Sequence, residues 1–128
     1  MSKSVSVNIM LMPLTFDILD VDKFQVVNLP ELMAIIQDCF RLNRDGRQSP
    51  VQRKEYLLKG EALSKRQNKL INEIFTNGVD EVRKANAAIK KVKDATNQAL
   101  KDIEKTADTI EQLGALVSAL DDVIKLLV

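Results

Sequence analysis

The 128-residue chain has no histidine, no tryptophan, one cysteine, one tyrosine and only four glycines. Each scarcity closes off a class of chemistry. Without histidine or a cysteine pair, the usual zinc, iron and copper ligand sets cannot be assembled, and neither a Ser-His-Asp nor a Cys-His device can exist. Gly46, Gly60, Gly78 and Gly114 begin no Gly-x-Gly or Gly-Lys-Ser run, so no phosphate-cradling loop is present. The acidic trio Asp17, Asp20 and Asp22 lacks the glycine and terminal glutamate of a calcium loop and reads as turn chemistry. The carboxylate pairs Asp80/Glu81, Asp102/Glu104 and Asp121/Asp122 sit on an amphipathic helical pattern, where solvation is the default. An enzyme is therefore not expected, nor is a cofactor, a metal or a small-molecule substrate.

The lone Cys39 excludes an internal disulfide framework and fits a reducing compartment. On an apolar helical face, with no histidine to activate it, it reads as a small buried hydrophobe. No apolar run reaches ~18 residues, so no transmembrane helix is expected, and Lys3 is not followed by the continuous apolar stretch of a leader. The expected location is the cytoplasm, with secretion without a classical signal peptide left open. Charge of one sign is missing too: 19 basic residues stand against 18 acidic ones. No global field points to nucleic acid or an anionic membrane. Locally, Arg41, Arg44, Arg47, Arg53, Lys54, Lys59, Lys65, Arg66 and Lys69 outnumber Asp45, Glu55 and Glu61. That segment reads either as a patch for an anion or acidic partner or as a solvated helix face.

What the chain does have is a long amphipathic stretch, Ile71 to Val128, interrupted by no proline and by only Gly78 and Gly114. In heptads, Phe75, Val82, Ile89, Thr96, Ile103, Ile110, Val117 and Ile124 fall at a, while Ile71, Gly78, Ala85, Val92, Ala99, Thr106, Leu113, Leu120 and Leu127 fall at d. Ile74, Ala88, Ala95, Leu116 and Val123 at g and Val79, Leu100 and Ala107 at e make the apolar face wider than a two-stranded seam requires. Such a face belongs in a multi-helix bundle.

Before it, Val5, Val7 and Ile9 alternate with serines and Asn8, and an apolar run leads to Pro13, which reads as a strand. Residues 14–29 continue as a β-hairpin or extended segment. Asn28 caps a first helix with Pro30 and Glu31 in its first turn, and Gly46 stops it. Ser49 and Pro50 announce a second helix, with Tyr56, Leu63, Leu70 and Ile74 as its seam, broadened by Leu57 and Leu58. Leu63 and Leu70 are out of phase with the later heptads, so Asn77-Gly78 reads as a break or hairpin, against a helix that runs through it.

The expected fold is mainly α: a long helical hairpin or coiled-coil-like bundle with a short N-terminal β-hairpin or extended segment. Residues 1–29 form that segment and 30–128 the helices, at about 30–45, 50–76 and 79–127, in one domain. Helices two and three would be about 40 Å and about 73 Å long, so the longer arm overhangs. From Leu113 to Val128, eleven of sixteen residues are Leu, Val, Ile or Ala. Leaving the overhanging seam wet forgoes roughly 1.5–3 kcal/mol per side chain, on the order of 10 kcal/mol in all. The candidate covers are the N-terminal strands, a second chain, another protein or lipid.

The leading expectation is a non-enzymatic assembly or scaffold module acting by protein-protein association, with itself or a helical partner, through Ile103, Ile110, Leu113, Val117, Leu120, Ile124 and Leu127. Two alternatives stand beside it. One is a membrane-active, toxin- or translocator-like helical protein that hides an apolar hairpin, with alanines along the seam. The other is a nucleic-acid binder using Arg41, Arg44, Arg47, Arg53, Lys54, Lys65, Arg66 and Lys69, which is disfavoured because only Tyr56 lies among them for stacking.

Overall fold

The computed structural model describes residues 26–75 and 79–127. They form four helices: α1 (Leu29–Asn43), α2 (Pro50–Leu70), α3 (Val79–Lys101) and α4 (Thr106–Ile124), with 3₁₀ turns at Ile103–Lys105 and Lys125–Leu127. α1 starts where its capping residue dictates, the Asn28 side chain accepting from the Glu31 N–H at 3.2 Å with Pro30 in the first turn. α2 starts on a complete capping box: Ser49 accepts from the Gln52 N–H and the Gln52 side chain accepts from the Ser49 N–H, with Pro50 at the first helical position.

The loop between α1 and α2 is organised by Asp45. Its carboxylate accepts from the Arg47 N–H at 3.0 Å and its carbonyl accepts from the Gln48 N–H at 3.0 Å. Gly46 has no steric part in that turn, since an added Cβ there meets nothing within 4 Å. α2 ends six residues before the expected boundary. Ile71 (φ −61°, ψ 127°) and Asn72 (φ 66°) make a type II turn closed by the Glu73 N–H to the Leu70 carbonyl at 3.2 Å. Asparagine is the non-glycine residue best suited to that left-handed position.

The continuous helix expected over 79–127 is not formed. At Asp102 the backbone turns extended (φ −141°, ψ 106°), and the Asp102 carboxylate accepts from the Glu104 N–H at 3.0 Å. The chain then folds back as an α3/α4 hairpin. The magnitudes explain why: a turn gives up a few backbone hydrogen bonds worth about 0.5–1.5 kcal/mol net each. Folding back covers side chains worth about 1.5–3 kcal/mol each. The long overhanging hairpin is thus corrected to a four-helix bundle, and the apolar residues from Leu113 to Leu126 are largely covered by their own chain. The β component of the expectation is corrected as well: no strand is present among the described residues, and residues 26–28 lead irregularly into α1. Residues 1–25, on which the strand reading fell, and Asn77-Gly78 lie outside the described residues.

The packing is not a simple cycle. α1 packs on α2 and α3, and α4 packs on α2 and α3, so α2 and α3, consecutive in sequence, stand on a diagonal. Asn28 meets Asn86 and, further on, Asp38 meets Lys93, while Tyr56 meets Thr106 and, further on, Arg66 meets Asp121, making α1 parallel to α3 and α2 parallel to α4. Both hairpin turns therefore lie at one end. Charge matches this order. α2 carries Arg53, Lys54, Lys59, Lys65, Arg66 and Lys69 against two glutamates, and α3 carries Arg83, Lys84, Lys90, Lys91, Lys93 and Lys101 against three acids. α4 carries Asp108, Glu111, Asp121 and Asp122 with no basic residue. Placing α2 and α3 on a diagonal keeps the two basic helices apart and sets each beside a helix that is not basic.

The core is built from heptad spacing in every helix. Leu32, Ile35, Cys39 and Leu42 of α1, Tyr56, Gly60, Leu63, Gln67 and Leu70 of α2, and Val82, Ala85, Ile89, Val92, Thr96 and Ala99 of α3 are buried. In α4 the buried set is Thr106, Thr109, Leu113, Leu116, Leu120 and Val123. α3 thus uses the a and d positions of the sequence pattern and α4 uses d and g. The wide face seen in the sequence is two registers joined by a turn.

Candidate functional site

The residues expected to form an interface are divided by the fold. Leu113 and Leu120 are fully buried inside the bundle, Ile110, Val117 and Ile124 are half-buried against the core, and Ile103 and Leu127 remain partly exposed at opposite ends of the hairpin. Leu116 and Val123 are buried beside Leu113 and Leu120. Most of the expected interface is thus committed to holding α4 in its own chain.

The basic segment converges only in part: Lys65, Arg66 and Lys69 line one groove of about 600 Å³ with Asn68 and Asp121, and the other basic residues lie elsewhere. Arg47 forks onto Asp45 and donates to the Leu100 carbonyl at 2.7 Å, which ties the first turn to the end of α3. Its guanidinium holds the Asp45 carboxyl at about 2, well below the ordinary carboxylate value. Arg66 forks onto Asp121 with 2.8 and 3.2 Å contacts, tying α2 to α4. Lys59 pairs with Glu55 at 3.2 Å, and Arg41 lies 3.9 Å from Asp38. Arg44, Lys54, Lys65 and Lys69 are exposed and Arg53 is half-buried. Arg44 and Lys69 stand at opposite ends of α2, a helix about 30 Å long, so the charges are a distributed surface with two structural pins.

Two buried polar clusters join the hairpins near their turns. The Tyr56 hydroxyl donates to Thr106 Oγ1 at 3.1 Å, and the Thr106 hydroxyl donates to Gln48 Oε1 at 2.9 Å. Asp38 Oδ2 accepts from Thr96 Oγ1 at 2.8 Å and from Lys93 Nζ at 3.1 Å. These side chains bond one another across helix boundaries, as buried polar groups require, except that Gln48 Nε2 is buried without a partner. Burial raises the Tyr56 pKa and, with the Asp38 charge adding to it, pushes the Cys39 thiol up to about 12. Cys39 is a buried thiol held protonated, as the sequence led us to expect. Among the described residues no His/Cys/Asp/Glu group is placed to hold a metal ion, and no helix is long and apolar enough to cross a membrane.

The surface that sequence reasoning missed is the outer face of α2. Val51, Lys54, Leu58, Glu61, Lys65 and Asn68 are all exposed and recur at three- and four-residue intervals, opposite the buried stripe. Val51 is 73% and Leu58 46% exposed, with Leu57 half-buried beside them. Inward, the same helix presents Gly60 and Gln67. Gly60 permits a close crossing with α1, because an added Cβ would lie 2.7 Å from the Phe40 ring. α2 therefore divides its aliphatic side chains between core and solvent, whereas α3 and α4 turn theirs largely inward. The signal was present in the sequence as Leu57-Leu58, two adjacent leucines that cannot both face a core 100° wide.

Beside this face a groove of about 330 Å³ is lined by Phe40, Glu61, Ser64 and Lys65. Among the described residues, Lys54, Glu61 and Lys65 form no ion pair. Set against known proteins, the chain matches no family model, and no curated protein or solved structure is significantly similar to it.

Proposed function

We propose that the protein is a non-enzymatic helical assembly module that associates with copies of itself, and that the contact is the outer face of α2. One observation carries this reading: α2 exposes Val51 and Leu58 while turning Gly60 and Gln67 into the core. Burying the exposed parts of two such aliphatic side chains contributes roughly 1–2 kcal/mol each per chain, about 4–8 kcal/mol over two copies, which offsets a large part of the cost of association. The polar clusters support a non-enzymatic role, since Asp38, Tyr56, Thr96 and Thr106 are bonded to one another inside the bundle.

Light scattering after size exclusion, over a range of loading concentrations, tests the proposal. The expected result is a mass that rises from 14.4 kDa toward a defined multiple, and a Leu58→Asp variant that stays at the monomer mass with unchanged helicity. A wild-type chain that remains monomeric at every concentration would sink it.

A further inference from the structure

If two copies meet through α2, as proposed above, the charges on its outer stripe bear on how they meet. Along that stripe Lys54 and Glu61 lie seven residues apart on the same edge, one on either side of Leu57 and Leu58, and neither has an ionic partner among the described residues. A two-fold symmetric contact is isologous, so each residue faces a fixed counterpart. Were the axis to run along the helices, residues of equal number would meet, setting Lys54 against Lys54 and Glu61 against Glu61 at like-charge cost. An axis crossing α2 at right angles instead makes the two helices antiparallel and returns each edge of the stripe onto the same edge of the other copy.

We infer that the protein forms an antiparallel two-fold dimer through α2, with the axis at Leu57 and Leu58. At that position the Leu58 side chains of the two copies meet on the axis. Lys54 of each copy comes level with Glu61 of the other, so the ion pair forms twice. Val51 comes level with Ser64 and Lys65 of the other copy, where the lysine's aliphatic stem covers it while its ammonium stays in water. The occupant of the face is a second copy of this chain because the stripe is complementary to itself under this one operation. A single helix face buries less than about 1,200 Å², the range of weak and transient contacts, so the dimer dissociates on dilution and weakens as salt screens the two pairs.

The test is a charge exchange in the full chain, followed by sedimentation equilibrium at low salt. Lys54→Glu and Glu61→Lys each place like charges together twice, and each alone is expected to raise the dimer dissociation constant at least tenfold. Mixed in equal amounts, the two variants regain opposite charges at both pairs and are expected to form a heterodimer about as tight as wild type, as is the double variant K54E/E61K as a homodimer. Both positions being on an exposed helix face, circular dichroism is expected to show unchanged helicity. If Leu58→Asp abolishes the dimer while the charge exchanges neither weaken nor rescue it, the antiparallel geometry is overturned and the α2 contact stands. If wild type never dimerises, both fail together.

Discussion

The two hairpins of the bundle reach the same shape by different means. The turn between α1 and α2 is written locally: Asp45 closes it through its own carboxylate and carbonyl, and Ser49, Pro50 and Gln52 start the next helix. The turn between α3 and α4 repeats both aspartate bonds, the Asp102 carboxylate accepting from the Glu104 N–H and its carbonyl from the Lys105 N–H, but α4 starts after Lys105 with no side-chain cap. In place of a cap it has remote bonds. Thr106 is bonded to Tyr56 and Gln48, and the Leu100 carbonyl is bonded to Arg47. The start of α2 is specified by its own sequence, and the start of α4 by the hairpin it packs on.

The comparison breaks most sharply at Thr106. Thr106→Val leaves the Tyr56 hydroxyl without its acceptor and Gln48 without its donor, both buried, at about 1–3 kcal/mol for each group. A loss of about 2–4 kcal/mol in urea denaturation is expected, with Thr106→Ser restoring most of it. A loss below 1 kcal/mol would mean that the second turn does not depend on the first hairpin.

Alkaline pH probes the first hairpin alone. The native Cys39 thiol is raised from 9.0 to about 12, so above pH 9 the unfolded chain loses a proton that the folded chain keeps. Stability is then full below pH 9 and falls with rising pH, by roughly 1 kcal/mol per pH unit. The raised Tyr56 hydroxyl adds to the fall above its ordinary range. Cys39→Ala should flatten the part of the curve that begins at pH 9, checked by thermal melts from pH 8 to 11.

Smaller effects separate the local devices. Ser49→Ala removes half of the capping box and is expected to cost about 1 kcal/mol, whereas the α4 start has no equivalent cap to lose. Gly114 lies within α4, where an added Cβ meets only the Lys59 side chain, at 3.8 Å. Gly114→Ala is accordingly expected to stabilise by somewhat less than about 1 kcal/mol, raising the melting temperature by a few degrees. Gly60→Ala, facing the Phe40 ring, should lose that gain.

The same contrast explains what was legible in the sequence. α1 and the start of α2 could be placed almost to the residue, because Asn28, Pro30, Ser49 and Pro50 act on their immediate neighbours. The break at Asp102 could not, because Leu113 and Leu120 serve two registers equally well. With Ile110, Val117 and Ile124 they continue the heptads of α3 into one long helix. With Leu116 and Val123 they make the core face of a separate one. Composition alone does not choose between them. The choice is made by cover, which a local pattern cannot see, and the diagonal placement of α2 and α3 was readable only as charge, in the contrast between two basic helices and an α4 without a single lysine. For the candidate surface, the leucine-rich part of α2 was legible but was assigned to the core, since Gly60 and Gln67 are unusual occupants of an inward stripe.

The position of Tyr56 gives this molecule an optical property of its own. With one tyrosine and no tryptophan in the chain, all intrinsic emission excited beyond the phenylalanine absorption band arises from the buried end of the bundle where the two hairpins are tied. That ring points away from the stripe of Val51 and Leu58 on the same helix. The tyrosine signal will therefore follow docking of the hairpins and stay silent when copies meet, so folding and assembly can be titrated separately on a single unlabelled sample.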